Sequence, residues 1–104
     1  NSIKLAKKAE LYGAKAILLE CVTENTAKKI TSSLTIPTIG IGSSKFCDGQ
    51  ILVFDDLVNL NSSSHKPKFV KNFINLSKLI KSAIKKYERD VKLKKFPGKS
   101  NSYQ

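Results

Sequence analysis

The chain has 104 residues, 40% of them hydrophobic, and carries 19 Lys and Arg against 8 Asp and Glu, a net charge of +11. That length holds one small domain at most, the apolar share is too high for a typical disordered chain, and no apolar run approaches the ~18 residues that span a bilayer. The start lacks the charged, apolar, then small-residue layout of a secretory signal, so a soluble, cytoplasmic protein with no membrane partner is expected.

Ile3, Ala6, Ala9 and Tyr12 recur at helical spacing, and Gly13 supplies a stop. Ala16 to Val22 is a short apolar run broken only by Glu20. Between turn signals such a run suggests a strand of a parallel sheet, buried on both faces. Thr23 offers an N-cap oxygen to a helix through Ala27, Ile30 and Leu34. A second strand is expected over Ile36–Gly42, then a polar loop over Ser43–Gly49. A third strand over Gln50–Phe54 ends at Asp55 and Asp56.

After a Ser- and Asn-rich loop, residues 67–95 read as an amphipathic, Lys-rich helical region. Phe69, Phe73, Leu76, Ile80, Ile84, Tyr87 and Val91 fall on one helical face, with Pro67 suited to the first turn. This stretch owns the charge: residues 57–104 carry 12 bases and 2 acids, whereas residues 1–56 are almost neutral. Eighteen of the bases are Lys and only Arg89 is Arg, which is poor equipment for reading bases or clamping phosphates in pairs. A solvated helix face is therefore expected, with no nucleic-acid partner; a small basic nucleic-acid-binding module is the alternative.

Strands alternating with helices argue for a parallel α/β sheet. Three strands leave both edges open, and Asn1 stands where a complete reading frame carries Met, so a piece of a larger protein is expected.

Ligands of parallel α/β folds gather at the carboxyl ends of the strands. Glu20 is the sharpest candidate there. A carboxylate inside an apolar strand is costly unless paired, and burial would raise its pKa towards that of a working general base; a salt bridge to a lysine at the strand end is the other reading. Gly40-Ile41-Gly42-Ser43-Ser44 is either a backbone cradle for an anion such as phosphate or a tight strand-to-loop turn. Asp48, Asp55 and Asp56 either ligate a cation or cap turns. Cys21 and Cys47 have no zinc or redox spacing and read as reduced thiols; His65 has no assigned role.

The runs Ile17-Leu18-Leu19-Glu20-Cys21-Val22, Ile36-Pro37-Thr38-Ile39-Gly40-Ile41-Gly42, Asp48-Gly49-Gln50-Ile51-Leu52-Val53 and Pro67-Lys68-Phe69-Val70-Lys71 resemble, in order and spacing, the C-terminal part of the ketopantoate hydroxymethyltransferases. Phe96-Pro97-Gly98 with Ser102-Tyr103 extends the resemblance to the end. The resemblance implies that residues 1–104 are the C-terminal part of a single TIM (β/α)8 barrel domain, its last three strands and terminal helices. It implies transfer of a hydroxymethyl group from 5,10-methylenetetrahydrofolate to 3-methyl-2-oxobutanoate, forming 2-dehydropantoate in pantothenate biosynthesis. Glu20 would be the proton acceptor. Mg2+ would hold the keto acid through ligands outside this chain, which contributes no metal ligand, and the enzyme would be a homo-oligomer, a decamer by resemblance. The isolated chain is expected to be inactive and marginal in stability. Four positions depart from the family: Ser44 and Asn59 stand where it usually has Gly, and Asp55 and Asn101 where it usually has His.

Overall fold

The computed structural model describes residues 1–61 and 64–103. Asn1 caps the first helix, α1 (Ser2–Leu11), its side-chain oxygen accepting from the Ile3 N–H at 3.0 Å. Gly13, at φ +98°, closes it. The Gly13 N–H donates to the Glu10 carbonyl and the Ala14 N–H to the Ala9 carbonyl, both at 3.0 Å, so two orphan carbonyls are satisfied. Beyond the helix, the Glu10 carboxylate accepts from the Thr35 hydroxyl, the Thr35 N–H and the Ile36 N–H. That fastens α1 to the segment entering the second strand.

The strands β1 (Ile17–Glu20), β2 (Thr38–Ile41) and β3 (Gly49–Gln50) form one parallel sheet in sequence order, with α2 (Glu24–Ser33) crossing from β1 to β2. The expected α/β alternation is therefore found. Side chains alternate across the sheet. Leu19 joins Ala6 of α1, Ala27 and Ile30 of α2, and Cys47 in the buried cluster, with Ile3, Ile17, Val22 and Leu34 packed around it. Both helices thus cover one face. The other face carries Leu18 and Glu20, whose register partners are Ile39 and Ile41. Leu18 is 55% exposed and Ile51 46%; nothing among the described residues covers them as a core would.

Asp48 staples the sheet at the opposite end from Glu20. Its Oδ2 accepts from the Thr38 N–H at 2.8 Å and from the Thr38 hydroxyl at 3.3 Å, joining the approach to β3 to the start of β2. Thr38 is fully buried and also meets the Thr31 hydroxyl at 2.8 Å, so the polar group has its partners.

Three sequence expectations need correction. Thr23 is the N-cap residue of α2, but its hydroxyl donates to the Thr26 hydroxyl at 2.9 Å instead of accepting from a backbone N–H. The third strand is far shorter than Gln50–Phe54. The Ile51 N–H extends its ladder by one bond to the Gly40 carbonyl at 2.9 Å, after which Phe54–Leu57 turn into a short helix, α3. Asp55 and Asp56 lie in its first turn, where carboxylates complement exposed N–H groups.

The Lys-rich region is only partly helical, because α4 spans Leu76–Lys92. Residues before it are strapped to α3: the Phe73 N–H donates to the Leu57 carbonyl, the Leu76 N–H to the Val58 carbonyl, and the Asn72 amide to the Asp56 carbonyl. Asn75 then caps α4 by accepting from the Lys78 N–H at 3.1 Å. With these N–H groups spent on α3, a helix cannot start at Pro67. Phe69 and Phe73 consequently leave the helical stripe. A 3-10 turn at Lys99–Asn101 follows α4. No residue of α4 is buried, and the molecule is elongated, 69 × 30 × 17 Å. No described helix is long and apolar enough to cross a membrane.

Candidate functional site

At the carboxyl end of β1 the backbone turns sharply. Glu20 is the last strand residue and Cys21 follows at φ +53°, a left-handed conformation that costs a non-glycine residue about 1–2 kcal/mol. Three hydrogen bonds hold the turn. The Cys21 N–H donates to the Ile41 carbonyl at 2.9 Å. The Ser43 hydroxyl donates to the Leu19 carbonyl and accepts from the Val22 N–H at 3.2 Å, bracketing Glu20 and Cys21 from both sides. Ser43 therefore fixes the direction in which β1 delivers its carboxylate.

The next loop is built around Gly42. Its φ is +60°, and a Cβ placed there would lie 2.3 Å from Cγ of Phe69 and 2.6 Å from Cβ and Cδ1. Only glycine allows both the turn and the approach of the ring. Ser44 is buried; its carbonyl accepts from the Gln50 amide at 2.7 Å and its hydroxyl from the Phe46 N–H at 3.2 Å. Of the two positions where Gly is usual, Ser44 does not adopt positive φ, so no left-handed strain arises there. Asn59 does, at +59°; Asn tolerates that region better than most residues, and its amide donates to Asn75 Oδ1 at 2.8 Å.

Between the first turn of α2, the loop after β2 and the strap before α4 lies an open cleft of about 770 Å³. Val22 and Phe69 contribute apolar surface to its lining, together with Gln50, Lys45 and Lys68. Glu24 is the acid in the lining. Neither lysine makes an ion pair among the described residues.

The structure thus brings together Glu20, Cys21, Gly42, Ser43 and Ser44 at the strand ends. It does not gather the three aspartates: Asp48 is held by Thr38 at the other end of β2, while Asp55 and Asp56 belong to α3. Among the described residues no group of three or more His, Cys, Asp or Glu side chains is arranged to hold a metal ion. The expected burial of Glu20 is not found within this chain; its side chain leaves an exposed strand position on the uncovered sheet face. Cys21 and Cys47 are free thiols. The sequence reading missed Lys45, Lys68, Phe69 and Gln50 as cleft residues. Gly42 was the signal that could have exposed Phe69, since a glycine beside a strand end marks a close approach as well as a turn.

Parallel α/β folds gather their ligands at the carboxyl ends of the strands, which is where Glu20 and the loops that frame the cleft are found. Residues 1–99 match the family model described as ketopantoate hydroxymethyltransferase, and the chain belongs to that family. Its similar relatives include proteins named 3-methyl-2-oxobutanoate hydroxymethyltransferase. One from Thermosipho africanus is 50% identical over 91% of this chain and 36% of its own length. One from Kosmotoga olearia is 46% identical over 100% of this chain and 38% of its own, and one from Clostridium botulinum 46% identical over 98% and 37%. The chain thus spans somewhat more than a third of the length of the curated relatives it matches.

Proposed function

We propose that this chain supplies the last three strands and terminal helices of a (β/α)8 barrel that transfers a hydroxymethyl group to 3-methyl-2-oxobutanoate, with 5,10-methylenetetrahydrofolate as donor. The relatives' printed name supports the acceptor and the group transferred. The uncovered face carrying Leu18, Ile39, Ile41 and Ile51 supports the barrel, whose interior is filled by such side chains.

Glu20 is the general base of this reading. Its position at the end of β1, at the mouth of that interior, is the observation that carries it. The carboxylate takes the C3 proton of the keto acid, and the electrons of the broken C–H bond pass into the enolate. The donor's methylene bridge gives up both C–N bonds as water adds to its carbon, releasing tetrahydrofolate and a one-carbon unit at the level of formaldehyde; the enolate carbon bonds to that carbon, and its oxygen takes up a proton to become the hydroxyl. Ser43 and the Cys21 turn hold the carboxylate in line for the proton. The Mg2+ implied by the resemblance would take its ligands from other parts of the protein and would supply a Lewis acid for the keto acid's oxygens.

Glu20→Gln in the intact protein is the test. Exchange of the C3 proton with deuterated solvent should fall about 10²–10⁴-fold, while keto-acid affinity stays within a few-fold of wild type. Unchanged exchange would remove Glu20 from the role.

A further inference from the structure

We infer that Gln50 is a positioning residue for Glu20, acting through the loop after β2 without touching a substrate. The inference rests on the reading of Glu20 as general base and adds a residue of β3 to it.

Leu19 of β1, Gly40 of β2 and Gln50 of β3 are register partners in one row across the sheet, so their side-chain positions share a face. Gly40 leaves the middle of that row open. A Cβ there would meet the Gln50 amide, with Oε1 at 3.0 Å and Nε2 at 3.2 Å, and Cys47 Sγ at 3.2 Å. Without one, the Gln50 side chain lies over β2 and reaches the loop that follows it. Its Nε2 donates to the Ser44 carbonyl at 2.7 Å. The Cys47 N–H donates to the same carbonyl at 3.2 Å, and Ser44 is only 5% exposed. The acceptor is therefore on the packed side of the loop with both of its lone pairs engaged.

The preceding residue completes the connection. Ser43 bonds to the Leu19 carbonyl and the Val22 N–H, on either side of Glu20. Two adjacent loop residues are thus tied to the two strands that flank β2: Ser44 to β3 through Gln50, and Ser43 to β1 around Glu20. A Ser44 released from Gln50 lets the Ser43 hydroxyl shift, and a shifted hydroxyl no longer aims the carboxylate. The chemistry of the tie selects an amide, because a carbonyl needs a donor and an ionised carboxylate offers only acceptors. Gln50 also lines the cleft, so contact with a substrate is the competing role that the experiment must separate.

The test follows C3 proton exchange of 3-methyl-2-oxobutanoate in the intact protein. Gln50→Met keeps the length of the side chain and removes the donor. Exchange should slow about tenfold, the scale of one hydrogen bond's hold, while the KM values for keto acid and donor stay within about twofold. In a Glu20→Gln background the same substitution should change the residual saturable exchange by less than about twofold, because a residue that works through the carboxylate has nothing left to position. Gln50→Glu adds a pH signature. Its exchange rate relative to wild type should rise as pH falls towards the carboxyl range, where the introduced carboxyl takes up a proton and can donate to Ser44 again. That ratio decides the matter if Gln50→Met fails to fold.

Wild-type exchange in Gln50→Met, or a Gln50→Glu ratio that does not change with pH, would overturn the proposal. A raised KM with undiminished exchange at saturation would also overturn it, by making Gln50 a substrate contact. So would an equal loss in the Glu20→Gln background, which would reduce Gln50 to a support of the fold. If Glu20→Gln alone leaves exchange unchanged, the reading of Glu20 fails and this one with it; with Glu20 upheld, the other failures fall on Gln50 alone.

Discussion

Gly42→Ala is the sharpest perturbation of the cleft. The new methyl carbon would sit 2.3 Å from Phe69 Cγ and 2.6 Å from Cβ and Cδ1, well inside van der Waals contact, on a backbone at φ +60°. The left-handed conformation costs alanine about 1–2 kcal/mol, and forcing a methyl group into a packed contact costs about 1–3 kcal/mol more. The intact protein should therefore lose about 2–5 kcal/mol in urea denaturation. The loss should be coupled to Phe69. Phe69→Ala removes Cγ and Cδ1, so the double variant should be more stable than the sum of the singles predicts, by about 0.5–3 kcal/mol. A single variant within about 0.5 kcal/mol of wild type, or strictly additive singles, would refute the contact.

Ser43→Ala leaves the Leu19 carbonyl and the Val22 N–H without their shared partner, and should lower kcat for hydroxymethyl transfer while costing about 1–3 kcal/mol of stability; unchanged kcat would deny Ser43 its hold on Glu20. Glu10 gives a pH signature. The Thr35 hydroxyl above all, then the Thr35 N–H, lower its pKa from 4.5. A carboxyl lowered in the folded state contributes stability above its unfolded pKa and loses it as pH falls through the folded value. Wild type and Glu10→Gln should therefore differ most near neutral pH and converge below the ordinary carboxyl range, as read by urea midpoints; a pH-independent difference would refute the interaction.

What was legible in the sequence was local. Gly13 announced the end of α1 because a left-handed C-terminal turn needs it, and the apolar runs Ala16–Val22 and Ile36–Gly42 announced parallel strands between turn signals, although β1 is buried on one face only, with Leu18 and Glu20 exposed on the other. Phe69 and Phe73 misled for a definite reason. Their spacing continues the stripe of α4, and periodicity reports which faces are apolar without reporting where the backbone N–H groups go. Here the carbonyls of α3 claim the N–H groups of Phe73 and Leu76, a contact between segments about 16 residues apart that no local pattern contains. The cleft was hidden for the same reason: Lys45 and Lys68 are distant in sequence, and each alone looks like a solvated lysine. Asp48 looked like a ligand because a carboxylate before a strand suits a cation as well as it suits the buried Thr38 that it meets.

The two uncovered apolar faces lead to a prediction about the chain by itself. Leu18 and Ile51 project from the sheet face opposite the helices, while Leu79, Ile84 and Tyr87 project from α4 at 54%, 59% and 58% exposure. Single exposed apolar residues are ordinary; contiguous faces on a sheet and on a helix are not, and they mark surfaces that something else covers. The sheet face also borders open strand edges, which invite pairing with other chains. Expressed alone, residues 1–104 should bind a hydrophobic dye, associate at micromolar concentration and melt without a sharp transition. Supplying the remainder of the proposed barrel as a separate chain should suppress dye binding, because it covers the sheet face first. A soluble monomer with a sharp cooperative melt and no dye binding would mean that these faces are compatible with water, and the argument for a covering partner would fall.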